Sequence, residues 1–151
     1  MTDARKYLES FRSTEARIRL KTEQLHRLRA SLTSITSSPD GEQVSHTRNV
    51  DPMSETIAMI IDMQKEIDQQ TAELYEARHA LDCLMDRIDP NHAYLLTRHY
   101  IEGVSSRKLG KDAFISPRQM QRRLKEAVEE FQIVLNRVEE KKLSQDDVGM
   151  S

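Results

Sequence analysis

Very little in this chain would interrupt a helix. It has four glycines and four prolines in 151 residues, so long helices are expected rather than many turns. Tryptophan is absent, and 37% hydrophobic residues stand against 32% charged ones. That balance suits a helical, surface-rich protein with a thin core. A single cysteine, Cys83, excludes an internal disulfide and points to a reducing cytoplasm. No run of about 18 apolar residues occurs, so no membrane span is expected. The first residues, with charges at Asp3, Arg5, Lys6 and Glu9 and no apolar core, do not read as a secretory signal.

Catalytic and metal-binding signatures are missing as well. There is no glycine-rich phosphate loop, no CxxC and no HExxH. His26, His46, His79, His92 and His99 are scattered. His92 and His99 can share a helix face, yet a zinc site needs roughly three or four ligands and no third is evident. The carboxylates of 62–89 read as a solvated helix face. An enzyme is therefore the least expected class, and no cofactor or metal is implied.

What is present is a charge pattern. Net charge is −2, but residues 1–35 carry eight basic against four acidic side chains, and residues 53–89 carry three against nine. Residues 104–125 carry seven basic side chains against Asp112 alone. So steep a local excess in a near-neutral chain marks an electropositive site. A run of this kind is often only a solvated face; its place in the fold has to decide.

Apolar periodicity supplies that place. Ala4, Phe11, Ile18, Leu25 and Leu32 recur every seven residues, widened by Leu8, Leu28 and Ile35. They predict a coiled-coil seam over 4–35, roughly 48 Å long. Residues 36–52 are rich in Ser, Thr, Pro, Gly and Asn and predict a loop. Asp51-Pro52 then caps a second helix, whose seam runs through Met53, Ile57, Ile60, Gln64, Ile67, Thr71, Leu74, Arg78, Leu81, Met85 and Ile88. Two helices of similar length and opposite charge predict an antiparallel hairpin, with an intermolecular coiled coil as the competing arrangement. Asp89-Pro90 opens a third helix, through Tyr94 to Ile101, closed by Gly103 in a left-handed cap. Ser105 caps a short fourth helix. Ser116-Pro117-Arg118-Gln119 opens the fifth with the pattern of a capping box.

Helices three to five follow the helix-turn-helix plan. On the fifth, Met120, Leu124, Ala127, Val128 and Phe131 share one face and are expected to pack on Leu109, Leu96 and Ile101. Arg118, Arg122 and Lys125 then point away, with Gln119, Gln121 and Arg123 at the edges. Arg bonds guanine bidentately and Gln bonds adenine, so Arg118, Gln119, Gln121 and Arg122 are the expected base readers. Arg107, Lys108, Lys111, Arg123 and Lys125 are the expected phosphate contacts.

The segment YLLTRHYIEGVSSRKLGKDAFISPRQMQRRLKEA resembles the sigma-factor region-four type of helix-turn-helix in small phage and prophage regulators, above all the ArpU/RinA-like late transcriptional regulators. The pattern is met by Leu95, Leu96, Tyr100, Ile101, Gly103 and Ser105, then by Leu109, Ser116, Arg118 and Gln119. The likeness extends to Lys6–Leu8, Ala30–Thr36 and Ile61–Asp68, so it covers most of the chain, and its specific part runs from about Leu95 to Leu124. It implies transcription regulation. The chain departs from the family's pattern at Phe114, where Gly is usual in the turn, and at Gly110, where Ala is usual. Phe114 does not readily take a positive φ, so a differently shaped turn is expected. Gly110 costs about 1 kcal/mol of helix preference against Ala but permits close helix approach.

The expected fold is thus all-α: a long N-terminal hairpin over 1–89, a helix-turn-helix domain over 90–142 and a disordered tail over 143–151. The expected function is sequence-specific binding of double-stranded DNA in the cytoplasm, without a membrane. A homo-oligomer through the hairpin and RNA polymerase are further candidate partners. A small-terminase-like packaging protein and a coiled-coil interaction module are the alternatives.

Overall fold

The computed structural model describes residues 1–37 and 51–149. Their regular elements are all helical: α1 (Ala4–Ser37), α2 (Pro52–Met85), α3 (Pro90–Leu96), α4 (Ser106–Asp112) and α5 (Pro117–Gly149), with one π-helical turn (Thr97–Ile101) continuing α3. The fold is therefore all-α. Of the loop expected at 36–52, residues 38–50 lie outside what is described, as do the side chain of Ile35 and the last two residues, while its two ends are taken up by α1 and α2.

Local chemistry accounts for the helix starts. Pro52, Pro90 and Pro117 each occupy the first helical position, where a missing N–H leaves nothing unsatisfied. Asp51 Oδ1 accepts from the Met53 N–H at 3.0 Å and Asp89 Oδ1 from the Asn91 N–H at 2.8 Å. Ser105 Oγ accepts from the Lys108 N–H at 3.2 Å. Such caps contribute about 1 kcal/mol each.

The second helix ends at Met85, short of the expected Ile88, and two further boundaries differ from expectation. The third helix does not stay α-helical through Ile101; its last turn widens, and the Glu102 N–H reaches back to the Thr97 carbonyl at 2.9 Å. On an α-helix, residues five apart diverge by about 140°. The wider turn allows Leu96 and Ile101 both to be buried. At the other end of the chain, α5 continues to Gly149, past residue 143 where a disordered tail was expected. The stretch from Glu139 to Leu143 consists of strong helix formers and meets no breaker before that glycine.

The chain forms two compact units, one of residues 15–75 and one of residues 1–14 with 76–151. The first is a pair of helices. Lys21 pairs with Glu66, and Arg29 Nη2 donates to Gln64 Oε1 at 3.0 Å. Later residues of α1 thus meet earlier ones of α2, in antiparallel order. Leu25 and Ile67 are buried, and Ile18, Leu28, Leu32, Met53, Ile60 and Leu74 are half-buried. Ile57 and Thr71, expected on the seam, are instead exposed, as is Arg78 farther along the same row. Gln64 of the same row is half-buried and bonded to Arg29, so the row is covered in part only.

The second unit uses more of the chain than the expected 90–142. The seven-residue repeat of α1 reads as continuous, but its first two turns belong here. Ala4, Leu8 and Phe11 are buried, and Tyr7 stacks on Phe131 of α5 at 6.0 Å between ring centroids. The Ala4 N–H donates to Gln132 Oε1 at 2.7 Å, and Gln132 Nε2 donates back to the Thr2 carbonyl at 2.8 Å. Burial raises the Tyr7 hydroxyl above its ordinary pKa. Leu81, Leu84, Met85 and Ile88 join the same core. Glu130 ties α5 to the start of α3: one oxygen takes the His92 ring, the other the Asp89 N–H at 2.9 Å. Those two bonds, the histidine first, hold its carboxyl below the usual glutamate value.

Gly103 ends the π turn at φ +78°, as expected of a left-handed cap. A Cβ there would lie 2.8 Å from the Arg12 guanidinium carbon, the end of a flexible exposed side chain that can move aside, so the positive φ is what calls for glycine. His99 Nδ1 lies 2.7 Å from the Val104 carbonyl. A carbonyl only accepts, so that ring nitrogen carries the proton.

Candidate nucleic-acid interface

The second unit closes around a small apolar centre. Leu109 of α4 and Met120 and Leu124 of α5 are buried together, with Leu95, Val104 and Ile115 packed against them. Each large side chain buried in this way contributes roughly 1.5–3 kcal/mol. Ala127 and Phe131 continue the buried stripe of α5, and Val128 is half-buried at its side. The stripe fixes the roll of α5. At about 100° per residue, Arg118, Arg122 and Lys125 stand opposite it.

All nine side chains expected to touch DNA are exposed: Arg107, Lys108 and Lys111 on α4, and Arg118, Gln119, Gln121, Arg122, Arg123 and Lys125 on α5. Among the described residues, the ion pairs are Arg19–Glu15, Lys21–Glu66, His92–Glu130 and Arg98–Glu102. None of the seven cations takes part in one. The cationic stretch of this face ends at the exposed Glu126 and Glu129, so it spans only the first turns of α5.

Two of the nine are placed differently from the rest. Gln119 Oε1 accepts from the Ser116 N–H at 3.0 Å while the Gln119 backbone N–H donates to Ser116 Oγ at 3.2 Å. This is the expected capping box. It also holds the amide oxygen toward Ser116, using one of its two lone pairs. Gln119 keeps its NH2 donors and the second lone pair, in an orientation set by the cap. Arg123 lies on the flank, lining a cleft of about 500 Å³ that Asp89, His92 and Glu126 also line.

The turn between α4 and α5 follows the familiar helix-ending geometry despite its sequence. The Ile115 N–H bonds to the Gly110 carbonyl at 2.9 Å and the Phe114 N–H to the Lys111 carbonyl at 3.3 Å. These are the two bonds of a Schellman motif. Its left-handed position falls on Phe114, at φ +59°. The expectation that Phe114 would change the turn is overturned: the two backbone bonds and the burial of Ile115 against the Leu109 cluster hold the usual shape. A left-handed conformation costs a residue with a Cβ about 1–2 kcal/mol. The Phe114 ring recovers none of this by packing, for the residue is 95% exposed. Sequence reading treated Phe114 as a departure from a pattern and assigned it no role. The signal available was a bulky residue at a position that calls for positive φ.

Gly110 is explained by the same turn. A Cβ on it would stand 3.0 Å from the Ile115 carbonyl oxygen and 3.2 Å from that of Ser116. The Ser116 carbonyl is held by the Met120 N–H at 3.0 Å, so the backbone has little room to yield. Gly110→Ala should gain about 1 kcal/mol of helix propensity and lose more to the collision, since overpacking costs about 1–3 kcal/mol. The expected net loss is about 1 kcal/mol, read as a lower denaturant midpoint. A raised midpoint would show that the turn gives way.

No group of three His, Cys, Asp or Glu side chains among the described residues can hold a metal ion. No helix among them is long and apolar enough to cross a membrane. Compared with known proteins, the chain matches no family model, no curated protein and no solved structure.

Proposed function

We propose that this protein binds double-stranded DNA through α4 and α5, as a helix-turn-helix whose recognition helix starts at Ser116, and that it regulates transcription without enzymatic activity. One observation carries the reading. The side of α5 opposite its buried stripe is cationic, exposed and free of ion pairs. Arg118 and Arg122 fit base reading, with Gln121 beside them; Arg107, Lys108, Lys111 and Lys125 fit phosphate contacts. Arg123 is a phosphate contact of the flank. A place among the phage late transcriptional regulators that the sequence resembles, and a cytoplasmic setting, are part of the same proposal.

The test is a titration of the full chain against duplex DNA at several salt concentrations. Engagement of about five phosphates predicts a log–log slope near −4.5. Absent or salt-insensitive binding would remove the reading.

A homo-oligomer through the paired helices belongs to the same proposal. Ile57, Met59, Ile61 and Tyr75 of α2 are exposed, and Thr71 of the expected seam with them. Light scattering should report a dimer or larger assembly at micromolar concentration. A closed ring of many subunits would favour the packaging reading, and a monomer at every concentration would end the oligomer proposal. RNA polymerase is the candidate protein partner if the paired helices stay monomeric.

A further inference from the structure

We propose that Phe114 is itself a DNA contact, an apolar side chain set outward by the turn to meet base edges while Lys111 and the other cations of α4 hold the phosphates. This rests on the reading of α4 and α5 as a duplex-binding unit. Three observations support it. The ring is 95% exposed, so the fold gains no packing from it. The backbone sits at φ +59°, where glycine or asparagine would serve the turn at lower cost. The two backbone bonds that shape the turn, from the Phe114 and Ile115 N–H groups, make no use of the side chain. Nothing within the unit therefore calls for an aromatic residue at this position. Strain held at an exposed position is characteristic of functional sites.

The neighbourhood selects the partner. Phe114 lies between Lys111, at the end of α4, and Arg118, in the first turn of α5, two residues before the Ser116 cap. Both cations are exposed and neither is in an ion pair. A polyanion presenting apolar edges suits that combination, and duplex DNA offers them in the thymine methyl groups of its major groove, a known contact for Phe.

The experiment compares the full chain with Phe114→Gly and Phe114→Asn. The probe is the duplex that the wild-type protein enriches most from a random-sequence pool. Both replacements tolerate the left-handed backbone, so loss of folding does not confound the result, and the second serves if the first misfolds. Affinity should fall about fourfold, as for the loss of a methyl-sized apolar contact, while the salt slope stays unchanged, because no phosphate contact is lost. Equal affinity for wild type and variants overturns the inference and leaves the DNA reading intact. A weaker affinity with a shallower slope overturns it too, since the cations must then have moved. A wild type that enriches no duplex overturns both readings.

Discussion

Replacing Arg118 and Arg122 together by alanine should weaken binding to a preferred duplex on the order of 100-fold, without unfolding the protein. Each good bidentate arginine–guanine pair contributes about 1–3 kcal/mol of discrimination, and two such losses combine into that range. Folding should survive because both residues are exposed and alanine is the better helix former. The salt slope then separates roles. Loss of two base contacts leaves it nearly unchanged, whereas loss of two phosphate contacts reduces it by about 1.8. Arg137→Ala supplies the control, as an exposed arginine of the same helix beyond Glu129. Fluorescence anisotropy at two salt concentrations reads all three proteins. A double variant as tight as wild type, or a control equally weakened, would falsify the assignment of this face.

The second large effect lies inside the C-terminal unit. Phe131 is fully buried. Its ring stacks on Tyr7, which in turn meets Phe11 edge-on at 5.3 Å. Phe131→Ala should cost about 3–5 kcal/mol through lost transfer energy and the cavity left behind. Aromatic pairing with Tyr7 adds about 0.5–1.5 kcal/mol. Against a total stability of roughly 5–15 kcal/mol, that approaches the margin of the unit. The expected melting temperature falls by about 15 °C or more, followed by circular dichroism. Phe131→Leu should fall between wild type and alanine. A drop of only a few degrees for alanine would mean that α5 is held mainly by its hydrogen bonds to α1 and α3.

The exposed cationic face of α5 was legible because it depends on periodicity. The apolar stripe at Met120, Leu124, Ala127 and Phe131 predicted which way Arg118, Arg122 and Lys125 would point, and each is exposed. Gln119 shows where that method stops. Its position was compatible both with capping and with base reading, and only the bonds to Ser116 decide how its amide is used. Gly110 and Phe114 show the same limit in the turn. Their sequence differs from the usual pattern while the backbone keeps the usual shape.

Helix starts were written in local chemistry: an Asp or Ser cap followed by proline stabilises the same boundary whatever surrounds it. So were the long heptads and the charge of each segment. Only tertiary packing decided that the first turns of α1 belong with α5, that the end of α3 widens to bury both Leu96 and Ile101, and that Phe114 takes a left-handed backbone. Each of these depends on neighbours distant in sequence or on a competition between backbone strain and core burial, and a repeat read along one strand of chain contains neither quantity.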